Sequence, residues 1–393
     1  MFDIVCAGHI CLDITPIFPA GAGDLAQMLV PGKLSESQGL VMSTGGSVAN
    51  TGMALTKLGI NTALVGKIGD DIPGDAIKRI LAWDGGSVDH LSIAKGDTTS
   101  YTIVLAPPGC DRIFIHDPAV NNTFGAEDID YALVQQAKVF HIGYPTAMGR
   151  LSQNRGEELK RILQQAKECG ATTSVDTSYP DMESKNGKQD WKKVFETVLP
   201  QTDIFMPSIE EALLMFDLDE FNRLRDLDED VLKNLDIDYL PKLGKKLSDM
   251  GARIVVIKCG ARGYYVRTQG ADTLSAMGRG APKEIEAWAD KEIFTGIYHV
   301  EEVKSTTGAG DTSIAGFLAA LTTGCSLVEA ADIACAVGAA CVSDVSATGG
   351  VIPLGELIGK CTEEWRKMDY VYDGTYFDYD ARSKVLVKRY SCL

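Results

Sequence analysis

Short apolar runs that end in glycine or a polar residue recur along this chain, and most are followed by a segment of helical period. Phe2 to Ala7 closes at Gly8, and Lys138 to Ile142, Thr172 to Asp176, Asp203 to Met206 and Ile254 to Lys258 repeat the pattern. Such runs suit strands covered on both faces, which is the condition of a parallel sheet. Between them, Ser47 to Leu58, Glu157 to Glu168 and Leu327 to Val342 carry apolar or small residues at helical spacing, and Gly59 and Gly170 stop the first two. Strand and helix in alternation predict an α/β fold with a mainly parallel central sheet flanked by helices.

Four stretches break the rhythm. Residues 16–44 are rich in Pro, Gly and Ser and read as irregular. Thr98 to Ala106 and Arg112 to His116 are strand-like and separated by Pro107-Pro108-Gly109, as in a flap outside the main sheet. Residues 275–297 lack a period and read as an insertion. The tail, 369–393, is rich in Tyr and Asp and ends in a strand-like run, Lys384 to Tyr390, suited to half of a hairpin.

Charge and cysteine placement exclude several classes. The 393 residues carry a formal charge of −16, which argues against nucleic acid or an anionic membrane as partner. No apolar run is long enough to span a bilayer. The start, MFDIVCAGHICLDI, lacks a basic region and reads as a strand, so no signal peptide is expected. The ten cysteines are dispersed without a C-x-x-C pair, as expected of reduced thiols in a cytoplasmic protein. The five histidines show no metal-ligand spacing.

Chemistry concentrates in four segments. Ser305-Thr306-Thr307-Gly308-Ala309-Gly310-Asp311-Thr312 runs straight into a helix. Its glycines bare N–H groups at a positive helix end, which suits an anion. Asp311 beside that anion hole suits a base that takes a proton from a hydroxyl while the hole stabilises a group in transfer. A plain glycine turn with Asp311 or Thr312 as N-cap would use the same residues. Gly45-Gly46-Ser47-Val48-Ala49-Asn50 opens another helix, and Asn50 offers both a donor and an acceptor to a polyol. Asp13 follows the first strand, where parallel-sheet ligands collect. Lys258-Cys259-Gly260-Ala261-Arg262-Gly263 closes a buried strand and would make room for a nucleotide or simply turn the chain. There is no P-loop. Gly21-x-Gly23-x-x-Ala26 follows prolines rather than a strand, so it is not a dinucleotide fingerprint.

The Gly45–Asn50 and Thr307–Asp311 motifs, in this order and about this far apart, resemble the two signatures of the ribokinase-like (PfkB) carbohydrate kinases. Val65-Gly66-Lys67-Ile68-Gly69-Asp70-Asp71 extends the first signature. The likeness implies one kinase domain over 1–368, with a small β lid from about 14–44 and 98–118, and leaves the tail 369–393 unassigned. It implies ATP-dependent phosphorylation of a sugar or sugar-acid hydroxyl with Mg²⁺. Asp311 would be the base, and the Gly308, Ala309 and Gly310 amides the anion hole. Asp13, Gly45, Gly46, Asn50 and the lid residue Arg112 would hold the acceptor. Lys258, Gly260, Gly263 and Thr307 would lie by the nucleotide, with Glu211 organising Mg²⁺ through water. The likeness also implies a homodimer joined through the lids.

Departures qualify that picture. Ser208 replaces the usual Asn of Asn-x-x-Glu. Ser305 replaces an Asp that helps bind a monovalent cation in many members, so a potassium site is only weakly implied. Cys11 replaces a polar sugar contact of ribokinase, which argues against ribose. A nucleoside acceptor on the same fold would need an aromatic wall, for which the lid segments offer only Phe18, Tyr101 and Phe114. A non-catalytic sugar-binding relative would have no need of Asp311.

Overall fold

A computed structural model describes residues 2–19, 30–107, 113–368 and 372–389. Arg112, Gly21 and Gly23 lie outside the described residues. Its centre is a ten-stranded sheet. Six strands run parallel, in the order β4 (Thr62–Val65), β1 (Ile4–Gly8), β9 (Val139–Gly143), β10 (Thr172–Val175), β11 (Ile204–Phe205) and β12 (Ile254–Lys258). Four antiparallel strands complete it, namely β13 (Tyr264–Thr268), β14 (Glu292–Thr295), β16 (Val385–Lys388) and β15 (Phe377–Asp380).

Side chains of the parallel strands alternate between two cores. Val255 and Ile257 of β12 face a cluster under helices α2 (Glu157–Glu168), α3 (Ile209–Phe216) and α4 (Leu240–Asp249). Ile254 and Val256 face the opposite cluster, under helices α5 (Ala309–Thr323) and α6 (Leu327–Val342). A Cβ at Gly316 would meet Val337 and the Ile333 carbonyl at 2.8 and 3.0 Å, so the last two helices meet almost backbone to backbone. No described helix is long and apolar enough to cross a membrane. The described cysteines are all unpaired.

Two expectations fail. The stretch 16–44 is not irregular throughout. β2 (Cys11–Ile17) and β3 (Gly39–Gly45) pair along their whole length and join β7 (Tyr101–Leu105) and β8 (Ile113–Asp117) in a separate sheet, ordered β3-β2-β7-β8. Nor is 275–297 an insertion. Trp288 is fully buried with its N–H on the Cys325 carbonyl (3.2 Å), and β14 is a strand of the central sheet. Glu292 disguised that strand. It is 3% exposed because Tyr265, Arg267 and Tyr376 bond its carboxylate at 2.5, 2.7 and 2.8 Å. The tail does form a hairpin, and β16 pairs with β14.

Candidate active site

The site forms where the carboxyl ends of β1, β9, β10 and β12 meet the start of α5, beneath the four-stranded lid. Helix α1 (Ser47–Lys57) begins beside the same spot. Gly308 is left-handed (φ 80°), and a Cβ there would meet Ala347 atoms at 2.7 Å. Only glycine fits, and this turn aims the first N–H groups of α5 outward. The Ala309 N–H is engaged by the Thr306 carbonyl at 3.3 Å, while those of Gly308, Gly310 and Asp311 meet no described main-chain acceptor. The N–H groups left to meet a ligand at this turn are thus mainly those of the two glycines and Asp311.

Asp311 is 4% exposed. Asn50 Nδ2 donates to its Oδ2 at 2.9 Å, and the Tyr144 hydroxyl reaches both carboxylate oxygens at 2.8 Å. Burial raises its pKa above the ordinary 3.8, against the opposing pull of those donors and of Lys258. Asn50, expected on the acceptor, thus has its amide nitrogen on Asp311.

Beneath Asp311 lies a buried set of charges. Lys258 is 9% exposed, its Nζ bonds the Met206 carbonyl at 2.5 Å, and its charge acts on Asp311, Asp176 and Glu211. It faces these carboxylates, and its stem passes 3.6 Å from where a Cβ at Gly310 would sit. Asp176, directly after β10, is fully buried and neither oxygen accepts a well-formed hydrogen bond, although the Tyr144 main chain and His141 (3.5 Å) face it. Burial drives its pKa well up. Glu211 forms a capping box with Ser208. Its Oε2 accepts from the Ser208 N–H at 2.8 Å and from Thr177 Oγ1 at 2.7 Å, and Ser208 Oγ accepts from the Glu211 N–H. The serine that departs from Asn-x-x-Glu is thus the N-cap of α3. Gly260 and Gly263 are explained by the β12–β13 turn, since Gly263 has φ 133° and a Cβ there would strike the Thr295 carbonyl at 2.1 Å. Thr307 donates its N–H to Ser305 Oγ at 3.2 Å.

Asp13 lies within β2 on the lid's inner face. The strand registers align Ser43, Asp13, Thr102 and His116 in one row across the lid. Thr102 Oγ1 pairs with His116 Nδ1 at 3.0 Å, and Cys11 Sγ donates to Asp13 Oδ1 at 3.4 Å. Burial raises the Asp13 pKa. A Cβ at Gly45 would sit 2.4 Å from Asp13 Oδ2, and one at Gly46 (φ 88°) 2.5 Å from His9. The paired glycines therefore let lid and α1 close on each other. A cavity of about 710 Å³ lies between them, lined by Asp13, Ser43, Asn50, Phe114, Thr306 and Thr307 among others.

A family model described as pfkB family carbohydrate kinase matches residues 1–353. The chain belongs to the pfkB family of carbohydrate kinases. It is similar to a fructokinase of Solanum tuberosum, 32% identical over 36% of this chain and 44% of that protein. This stretch spans less than half of the relative's length. A 5-dehydro-2-deoxygluconokinase of Geobacillus kaustophilus (strain HTA426) is 23% identical over 90% of this chain and 92% of its own. The structure of Arabidopsis thaliana ribokinase complexed with ribose and ATP superposes with a TM-score of 0.68 at 18% identity, covering 91% of this chain and 98% of that one. That likeness shows the pfkB kinase fold, the ribokinase-like architecture the sequence predicts.

Sequence reasoning missed Tyr144, Asp176 and His9. The rule that singled out Asp13, that ligands gather at the carboxyl ends of parallel strands, applies equally to β9 and β10. Applied there it would have found the first two. Tyr144 carries a further mark, because a left-handed backbone (φ 61°, ψ 39°) at a non-glycine residue followed by Pro145 costs about 1–3 kcal/mol.

Proposed function

We propose that this pfkB kinase transfers the γ-phosphoryl group of ATP to a hydroxyl of a monosaccharide or sugar acid. The observation that carries the reading is Asp311, a buried carboxylate aligned by Asn50 at the start of a 15-residue helix where the Gly308, Gly310 and Asp311 N–H groups meet no described main-chain acceptor. Those N–H groups cradle the phosphoryl group, and Asp311 accepts the acceptor's proton as the new P–O bond forms. Gly308 and Gly310 supply the anion hole, joined by Ala309 to the extent that its N–H turns from Thr306. Asp13, Gly45, Gly46, the Asn50 carbonyl oxygen and Arg112 bind the acceptor. Thr307, Gly260 and Gly263 border the nucleotide. Lys258 offsets the charge of the three carboxylates it faces.

Mg²⁺ fits this donor set. No group of three or more acidic, His or Cys side chains among the described residues forms a metal cage, and Mg²⁺ is ordinarily held by one or two carboxylates, water and substrate phosphates. Glu211 would hold it through Oε1 and water, and the ion would neutralise phosphate charge. A soluble homodimer is the proposed assembly. The lid's outer face exposes Leu40, Met42, Ile113 and Ile115, a surface that pairing of two lids would cover.

The test is ADP release from Mg·ATP against ketoses, aldoses, sugar acids and nucleosides. Turnover with one sugar class supports the proposal and names the acceptor. Turnover with nucleosides alone, or sugar binding without turnover, overturns it.

A further inference from the structure

Asp311 is already engaged. The Tyr144 hydroxyl stands 2.8 Å from both of its oxygens, and Asn50 bonds Oδ2 as well. A hydroxyl shared so evenly lies across the mouth of the carboxylate, where an acceptor hydroxyl must donate in order to lose its proton. Residue placement makes the contact deliberate. Tyr144 leaves β9 in a left-handed conformation just before Pro145, a backbone state sustained only where the surroundings impose it. Its ring packs against His9 (centroids 6.1 Å), and His9 packs against His116 of lid strand β8 (5.3 Å). Both ring nitrogens of His9 are buried without a partner. Three rings in sequence thus join the lid to the base.

We propose that Tyr144 is a gate on the base, holding Asp311 by its hydroxyl until an acceptor hydroxyl displaces it, so that the phosphoryl group is not handed to water. The inference rests on Asp311 being the base of the proposed kinase. In productive turnover the acceptor O–H proton passes to Asp311. The acceptor oxygen bonds phosphorus as the bridging P–O bond to ADP breaks, and the electron pair leaves with ADP. Water in the acceptor's place would undergo the same transfer and give inorganic phosphate. Lids and water exclusion suppress that leak in kinases generally, and here the suppression extends to the base itself. Burial and the facing carboxylates push the Tyr144 phenol well above its ordinary pKa, so it stays a donor. Tyr144 touches Asp311 and is a positioning residue.

The experiment needs Mg·ATP alone. Inorganic phosphate release without sugar is followed for the wild type, Tyr144→Phe and the double variant Tyr144→Phe/Asp311→Asn, each checked by near-UV circular dichroism. Tyr144→Phe is expected to raise the leak about tenfold or more, and Asp311→Asn to abolish the increase. In the sugar reaction the KM for the acceptor should fall while kcat changes by less, because no phenol has to be displaced. An unchanged leak in a folded Tyr144→Phe enzyme overturns the gate. A raised leak that survives Asp311→Asn also overturns it, since the group uncovered was not the base. Failure of the underlying kinase reading shows separately, as a wild type without turnover on any sugar.

Discussion

The site has a floor and a roof, each with an aspartate, buried in the floor and half-buried in the roof. Asp311 on the floor stands at the start of α5 and is gripped by Asn50 of α1 and by Tyr144 at the end of β9. Asp13 in the roof stands in a lid strand, with a cysteine thiol donating at 3.4 Å and hydroxyl residues beside it. Strong donors on rigid elements orient one carboxylate, and weak donors on a small sheet leave the other able to accept from a ligand. On the proposed reading the floor carries the chemistry and the roof the recognition. Substitutions should accordingly separate rate from affinity.

The largest expected effect is on the floor. Asp311→Asn should lower kcat about 10²–10⁴-fold and leave the acceptor KM within a few-fold, as read from ADP release. The same substitution should raise rather than lower Tm at pH 7. Burial raises the folded-state pKa of Asp311, so above the unfolded value the native state binds the extra proton and stability falls as pH rises. Removing the ionisable group removes that cost. A fall in Tm together with an unchanged kcat would erase the distinction between floor and roof. The pH profile has the matching sign. kcat/KM should decline on acidification through a pKa above 3.8, because the base works only when ionised.

Next comes a contrast within the floor. Gly308→Ala places a methyl 2.7 Å from Ala347 at a left-handed φ, whereas a Cβ at Gly310 finds only the Lys258 stem at 3.6 Å. Gly308→Ala should therefore cost about 10²-fold or more in kcat and several degrees in Tm. Gly310→Ala should change both far less. Equal effects would mean that the anion hole is not shaped by the Gly308 turn.

The floor was largely legible in the sequence and the roof was not, for physical reasons. β1, β12 and α5 are covered on all sides, so burial wrote apolar runs and small-residue spacing into them. Gly308 and Asp311 announce themselves by residue type at a helix start. The lid has its polar row of Ser43, Asp13, Thr102 and His116 on one face and exposes Leu40, Met42, Ile113 and Ile115 on the other. Neither face matches the usual rule of apolar inside and polar outside, and Pro16 and Gly39 look like loop residues. β14 was missed because Glu292, a charged residue, is buried in a network that closes only when Tyr265, Arg267 and Tyr376 meet. Tyr144 stands at a strand end to which the ligand rule points, but what it touches is not written locally, because its partner lies 167 positions away.

The roof should answer in KM. Asp13→Asn keeps the shape and removes the charge proposed to accept from a sugar hydroxyl, so the acceptor KM should rise about 10–100-fold with kcat reduced by less. A kcat loss as large as that of Asp311→Asn would place Asp13 in the chemistry and end the division of labour.

The smallest effect is the most discriminating. Thr102 sits beside Asp13 in the row and its hydroxyl meets His116 Nδ1 at 3.0 Å and Cys11 Sγ at 3.7 Å. Thr102→Val preserves its branched shape and deletes one hydroxyl. His116 is exposed on its strand, so water can satisfy its ring nitrogen, and the fold should lose almost nothing. If the row reads acceptor hydroxyls as a unit, Thr102→Val should raise KM about 2–10-fold, the range of one net hydrogen bond, with kcat unchanged. Combined with Asp13→Asn, the penalties should then fall short of multiplying, because neighbours that share a ligand contact are coupled. If instead the two penalties multiply fully, Asp13 and Thr102 act independently, and the lid presents separate contacts rather than one recognition surface.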